Sequence, residues 1–220
     1  MKNEYVQLGL FLIIGTLLLF VFVNKYSGKN TGSNGSTSES NDSINVLNES
    51  TGSDQNMLSN SVRPKYVVTL KTSKGDIAIE LNTGQTPKTV DNFVTLAKKG
   101  FYNNTIFHRI VEGFMIQGGD PNGDGTGGPG YTFDDEPFTG EYTRGAVAMA
   151  NRGKNTNGSQ FFIMHQDKPL SKDYVIFGHV VSGMEVVDAI AADKVAANLS
   201  GENSKPVIPT TVLNAEVKEL

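Results

Sequence analysis

The chain has 220 residues, a formal net charge of -4 at neutral pH, and neither cysteine nor tryptophan. That length suits one ordinary domain with extensions, and so mild a charge gives no broad affinity for nucleic acid. Without cysteine there is no disulfide frame, no thiol nucleophile and no thiolate metal site; the same absence is compatible with an oxidising compartment.

Residues 6–23 carry no charge (VQLGLFLIIGTLLLFVFV). As a helix they span about 27 Å, near the thickness of a bilayer core. A cleaved signal peptide is the competing reading. Its apolar region is usually shorter and ends in small residues, whereas Asn24-Lys25-Tyr26 follows here. We expect an uncleaved single-pass anchor over 1–24. Basic residues on the two sides do not fix its orientation.

Residues 25–63 are dominated by Ser, Asn, Gly and Thr. Such a stretch buries too little apolar surface to offset its ordering entropy and reads as a flexible tether. Three matches to the glycosylation pattern, at Asn34, Asn41 and Asn48, are what chance gives in so Asn- and Ser-rich a segment. A long polar stalk of this kind favours an extracytoplasmic position for the domain that follows, over 64–220.

That domain opens with two alternating segments, 66–72 and 76–81, around Ser73-Lys74-Gly75, which predicts a β-hairpin. Thr86-Pro87 predicts a helix start, with Thr86 as N-cap. Val90, Phe93, Val94 and Ala97 then share one face before Gly100 ends the helix. Strands are expected over 105–111, 114–117, 145–150, 159–164, 174–181 and 211–219, and a second helix over 183–192. Many short strands with two distant helices predict a mainly β fold, a closed antiparallel barrel capped by the helices.

The glycine-rich loop 118–130 imitates two ligand motifs. Residues 123–128 match G-x-G-x-x-G, but Pro129-Gly130 forbids the helix a dinucleotide site needs. Residues 120–125 match the start of a calcium loop, yet its twelfth position is Tyr131, not a bidentate Glu. A tight glycine-dependent loop is the plain reading. His108, His165 and His179 show no metal-ligand spacing, and no G-x-S-x-G nucleophile elbow is present. His108 reads as a packed, hydrogen-bonded strand histidine, the other two as surface or structural.

Arg109 lies inside an apolar run, where a cation must be paired, solvated or used. Strand periodicity puts Phe107, Arg109 and Val111 on one face and His108 and Ile110 on the other. By residue type alone an ion pair, with Glu112 or Asp120, is the simpler account. A second block, 145–164, sets amides beside aromatics and offers Asn151, Gln160 and Phe162 as a mixed polar and apolar platform.

Taken together, FHRIVEGFMIQGGDPNGDGTGGPG (107–130), GAVAMAN (145–151), NTNGSQFFIM (155–164) and YVIFGHV (174–180) resemble the cyclophilin family of peptidyl-prolyl cis-trans isomerases over about residues 65–220. The resemblance implies an eight-stranded antiparallel barrel closed by two helices. It implies Arg109 as the catalytic arginine, with Phe114, Met115, Phe162 and Leu170 around a proline pocket. Gln117, Asn151 and Gln160 would bind the substrate backbone, and Ala150 and Gly125 would line the groove. Pro169 stands where many members have a cyclosporin-contacting tryptophan, and Tyr174 where many have a pocket histidine. Arg152 replaces a small residue, and either biases the residue preferred before proline or lies in solvent.

The expected activity is rotation about X–Pro bonds in proline-containing unfolded or extended polypeptides, by a monomer, with no cofactor, metal or nucleic acid and with a membrane held through residues 6–23. A non-catalytic module that binds proline segments, or a chaperone, is the alternative.

Overall fold

The sequence alternation is realised in a computed structural model that describes residues 63–220. The expected anchor and most of the expected tether lie outside the described residues. Among the described residues no helix is long and apolar enough to cross a membrane. In chain order the elements are β1 (Tyr66–Thr72), β2 (Gly75–Leu81), α1 (Pro87–Lys98), β3 (Arg109–Val111), β4 (Met115–Gly118) and β5 (Ala146–Met149). They continue as β6 (Phe161–Met164), β7 (Ile176–Ser182), α2 (Met184–Ala191), β8 (Val195–Ala197), β9 (Asn203–Pro206) and β10 (Val212–Glu219).

Eight strands form one antiparallel sheet in the order β10-β1-β2-β7-β5-β6-β4-β3. The expected closed barrel is therefore corrected to a half-barrel. Its edge strands β3 and β10 do not run as a ladder against each other. The segments leading into them meet, where Ile106 bridges Thr211, Phe107 N–H donates to the Thr210 carbonyl and Val212 N–H to the Thr105 carbonyl. The reason is that β3 is only three residues long. The expected strand over 105–111 is interrupted at 107–108, between the isolated bridge at Ile106 and β3.

The break also corrects the expected facing of side chains. Phe107 and Ile110 both enter the main core, while Val111 packs on the opposite face with Arg109 beside it. Within β4, β5 and β6 the period of two holds. Ile116, Val147, Met149, Phe161 and Ile163 point to the main core under the helices. Met115, Ala146, Ala148, Phe162 and Met164 point outward into a second apolar cluster. β5 and β6 are buried on both faces, which is why they read as continuous apolar runs. In the main core Phe93 of α1 meets Phe161 edge-on, with ring centroids 5.3 Å apart.

Helix α1 starts at the expected Pro87, but its cap is not the expected one. The Thr86 side chain makes no cap hydrogen bond. Glu136, buried and 47 residues from Thr89, accepts from Lys88 N–H at 3.0 Å, Thr89 N–H at 2.7 Å and the Thr89 hydroxyl at 2.6 Å. A carboxylate satisfies the orphan donors of the first turn and complements the helix dipole better than a hydroxyl does. β8 and β9, which carry no clear periodic signal in the sequence, pair as a two-stranded hairpin whose β9 lies against β3.

Candidate active site

The outward face of β3, β4, β6 and β5 carries a single row of residues in register. Arg109 stands opposite Gln117, Gln117 opposite Phe162, and Phe162 opposite Ala148. Adjacent strands are about 4.8 Å apart, so the row sets a cation, an amide and an aromatic ring side by side.

One flank of the row is apolar. Met115 and Phe162 are buried members of the second cluster, and Phe114, Ala150, Leu170 and Tyr174 pack on it half-buried. Phe162 and Tyr174 meet edge-on at 5.7 Å. Tyr142, which the sequence reading missed, secures this flank. It is buried, and its hydroxyl donates to the carbonyls of Ser171 and Tyr174 at 3.1 and 2.9 Å. It thereby ties down the segment that brings Leu170 and Tyr174 to the cluster. Burial pushes the Tyr142 phenol above its ordinary value, so it stays a neutral donor.

Arg109 is paired, but with neither acid expected from the sequence. Its Nε donates to Glu202 Oε2 and its Nη2 to Glu202 Oε1, each at 2.8 Å. Glu202 arrives in the turn between β8 and β9. The guanidinium holds the Glu202 carboxyl down to about 2. The third nitrogen, Nη1, lies 3.8 Å from Met115 Sδ and 3.5 Å from Gln117 Oε1, both long for a hydrogen bond.

The other flank is polar. Gln117 Nε2 donates to Gln160 Oε1 at 3.0 Å, and Gln160 Nε2 donates to the carbonyls of Gly127 and Gly125 at 2.9 and 3.1 Å. Beyond these amides an open groove of about 660 Å³ is lined by Gly125, Ala150, Asn151, Arg152 and Ser159 among others. Asn151 lines the same groove as the two glutamines, its Nδ2 donating to the Asp173 carbonyl at 2.7 Å. Arg152 is not simply in solvent, because its Nη2 donates to the Gly125 carbonyl at 2.8 Å.

The loop 118–130 folds around Asp120. Asp120 is fully buried and accepts from the N–H groups of Asn122, Asp124 and Gly125. Gly127 is required by close approach, since a Cβ there would collide with the Asp120 carboxylate. Among the described residues no three His, Asp or Glu side chains converge as a metal site. Beneath the rim lies His108, whose buried ring nitrogens have no hydrogen-bond partner among the described residues. It is packed as expected, but only its backbone N–H is bonded, to the Gln117 carbonyl. Burial lowers its pKa below the ordinary histidine value, against Asp120 and Asp124 and together with Arg109. His165 is structural: its Nδ1 accepts from Gly113 N–H.

A half-barrel with two helices and this row on its outer face defines a class, and comparison with known proteins places the chain in it. The model of the cyclophilin type peptidyl-prolyl cis-trans isomerase family matches residues 67–217. The chain belongs to that family and carries a cyclophilin-type peptidyl-prolyl isomerase domain.

It is 43% identical over 158 residues to peptidyl-prolyl cis-trans isomerase-like 1 of Gibberella zeae, covering 69% of this chain and 94% of the relative. It is 45% identical over 158 residues to the peptidyl-prolyl cis-trans isomerase cypE of Dictyostelium discoideum, covering 69% of this chain and 97% of the relative. A solved cyclophilin type isomerase of Cryptosporidium parvum, crystallised in the presence of the dipeptide Ala-Pro, superposes with a TM-score of 0.64 at 38% identity. That match covers 69% of this chain and 98% of the solved one.

Proposed function

We propose that this domain catalyses cis-trans rotation about X–Pro peptide bonds in extended or unfolded polypeptides. The observation that carries the reading is the placement of Arg109. One nitrogen of a fixed guanidinium, Nη1, is held only by long contacts to Gln117 Oε1 and Met115 Sδ, beside an apolar cluster on the same sheet face. The family, and a solved relative crystallised with Ala-Pro, support a proline-containing ligand.

An X–Pro bond turns slowly because amide resonance holds it planar, with a barrier of about 18–20 kcal/mol. At the twisted transition state the prolyl nitrogen loses resonance and regains a lone pair. A guanidinium cannot act as a base, but it can donate to that nitrogen. The bond exists only in the transition state, so it accelerates rather than merely binds.

Such a charge-assisted hydrogen bond contributes roughly 1.5–3 kcal/mol, and a thousand-fold acceleration needs about 4 kcal/mol. The difference falls to gripping the ring between Phe114, Met115, Phe162 and Leu170, with Tyr174 as the polar-tipped edge, and to holding the flanking backbone. Gln117, Asn151 and Ala150 line that backbone path. Gln160 and Gly125 brace its far wall through their mutual hydrogen bond. No covalent bond breaks, so the reaction calls for no nucleophile, metal or cofactor.

We further propose that residues 1–24 anchor the protein, that 25–63 tether it, and that domain 64–220 works as a monomer on the extracytoplasmic side. The uncharged run 6–23 and the polar stalk after it support the anchor, the tether and the outward placement. Protease treatment of intact cells tests it, since a protected domain removes the outward orientation.

For the activity, exchange NMR on an Ala-Pro peptide compares the full chain with its Arg109→Ala variant. The expected result is strong catalysis by the first and little by the second at equal folded content. Binding without acceleration by either protein replaces this reading with a proline-segment binding module. Aggregation suppression that survives Arg109→Ala favours a chaperone.

A further inference from the structure

We infer that Glu202 is a positioning residue for Arg109, fixing the guanidinium so that Nη1 alone faces the apolar cluster. The inference rests on the isomerase reading above and names a residue of that site outside the motifs that carry the family resemblance.

Three observations converge on it. First, the contact is a two-pronged fork. Nε and Nη2 each take one carboxylate oxygen at 2.8 Å, which fixes the plane of the guanidinium as well as its distance. Second, the turn that carries the carboxylate is itself closely bonded. Glu202 N–H donates to Asn198 Oδ1 at 3.0 Å, and the Glu202 carbonyl accepts from Asn198 N–H at 2.8 Å. Asn198 Oδ1 also gathers the Ser200 N–H and hydroxyl, and Gly201 takes the positive φ of +84° that closes the turn. Third, stability does not account for such a mount. The Arg109 and Glu202 side chains are 32% and 40% exposed, and ion pairs this open add little to a fold.

A free arginine samples many rotamers and must lose that freedom at each turnover. Here the fork has removed it in advance. The carboxylate also offsets the guanidinium charge, so covering the site with a proline ring strands no lone cation. Both Glu202 oxygens accept from Arg109 and Oε2 also takes a long bond from Asn198 Nδ2 at 3.4 Å, so the carboxylate is engaged by the protein and acts through Arg109.

The test is a double-mutant cycle on the full chain, with Ala-Pro peptide exchange read by NMR and kcat separated from KM. Glu202→Gln replaces one acceptor of the fork with a donor. It is expected to lower kcat about tenfold, as small misplacements of a catalytic group do, with KM nearly unchanged. Glu202→Asp, which keeps a shortened carboxylate, is expected to fall in between. In the Arg109→Ala background Glu202→Gln should change nothing, because the group it positions is gone.

A wild-type kcat in Glu202→Gln overturns the inference. So does an equal loss in the Arg109→Ala background, which would mark a general structural effect, and so does a rise in KM at constant kcat, which would mark substrate contact. Should Glu202→Gln fail to fold, Glu202→Asp carries the same cycle, and the same non-additivity is required of it. A wild-type chain that binds the peptide without accelerating exchange is a distinct result, which removes the isomerase reading and this inference with it.

Discussion

Arg109 and Gln117 stand directly opposite one another on β3 and β4, their side chains on the outward face of the sheet. The pairing follows from parity: eight positions apart and reversed through residues 112–114, they share a face. Placement matters more than charge here, because Nη1 is the nitrogen that the Glu202 fork leaves over. Arg109→Lys keeps the charge but loses the planar fork. We expect kcat/KM to fall roughly ten- to hundred-fold, the equivalent of one charge-assisted hydrogen bond. Peptide exchange measures it, and a lysine variant with wild-type turnover would sink the directional-donor mechanism.

The Arg109–Glu202 pair also sets an acid limit. Arg109, by hydrogen bond and charge, holds the Glu202 carboxyl at about 2, below its ordinary 4.5. A depressed carboxylate pKa contributes above the unfolded value and is lost as pH falls through the folded one. The fork therefore persists through pH 4, and kcat should show no ionisation of Glu202 between pH 7 and 4. A kcat titration near 4.5 that disappears in Glu202→Gln would contradict the pairing.

His108 predicts the opposite sensitivity in the same range. Its pKa is lowered chiefly by burial, so below the ordinary 6.5 the unfolded chain takes up a proton that the folded chain resists. Stability is then fully present above 6.5 and declines as pH drops toward the lower folded value. Asp120 and Asp124 moderate the decline, and Arg109 adds to it. His108→Phe removes the titration together with two unpartnered ring nitrogens. Urea denaturation from pH 7.5 to 5 should give a flatter profile for the variant, and identical profiles would rule this origin out.

What was legible in the sequence is what local patterning encodes. The β1–β2 hairpin, both helices and β10 follow from periodicity and turn residues over a few positions. The sequence reads the glycine loop as tight and glycine-dependent, and the structure winds it around the buried Asp120 carboxylate. Contacts between distant segments were not legible. Glu202 lies 93 residues from Arg109, so nothing local marks it as the partner. The same distance effect hid the α1 cap, since Thr86 supplies the expected residue type while a remote carboxylate makes the bonds. Barrel closure failed for a third reason: a periodic count does not show that β3 stops after three residues.

The remote cap gives a stability prediction of its own. Glu136→Ala leaves the N–H groups of Lys88 and Thr89 without their acceptor and strips the Thr89 hydroxyl of its partner. Because Glu136 and Thr89 are buried, water restores these bonds poorly. We expect a loss of about 3 kcal/mol in urea unfolding. Thr86→Ala, which removes no cap bond, should cost far less. A larger loss from Thr86 than from Glu136 would return the cap to the local residue.

Substrate preference should depend on Arg152. Among the residues lining the groove beyond Gln117 and Gln160 it is the one that carries a charge. Its Nη2 is held on the Gly125 carbonyl at 2.8 Å, so the cation stays at the groove wall. A carboxylate on the amino-terminal side of the substrate proline gains from that field, and an ammonium loses. The side chain is exposed, so the effect is modest, about 0.5–1 kcal/mol, or roughly two- to fivefold in kcat/KM. Peptides carrying Glu, Gln or Lys at the two positions before proline should rank in that order. Arg152→Ala should level the ranking and Arg152→Glu reverse it. Because exposed charges are screened beyond a Debye length of about 8–10 Å in ordinary salt, the preference should also shrink as salt is raised toward 1 M. A Glu-over-Lys ranking that persists in Arg152→Ala would show that the selectivity comes from elsewhere in the groove.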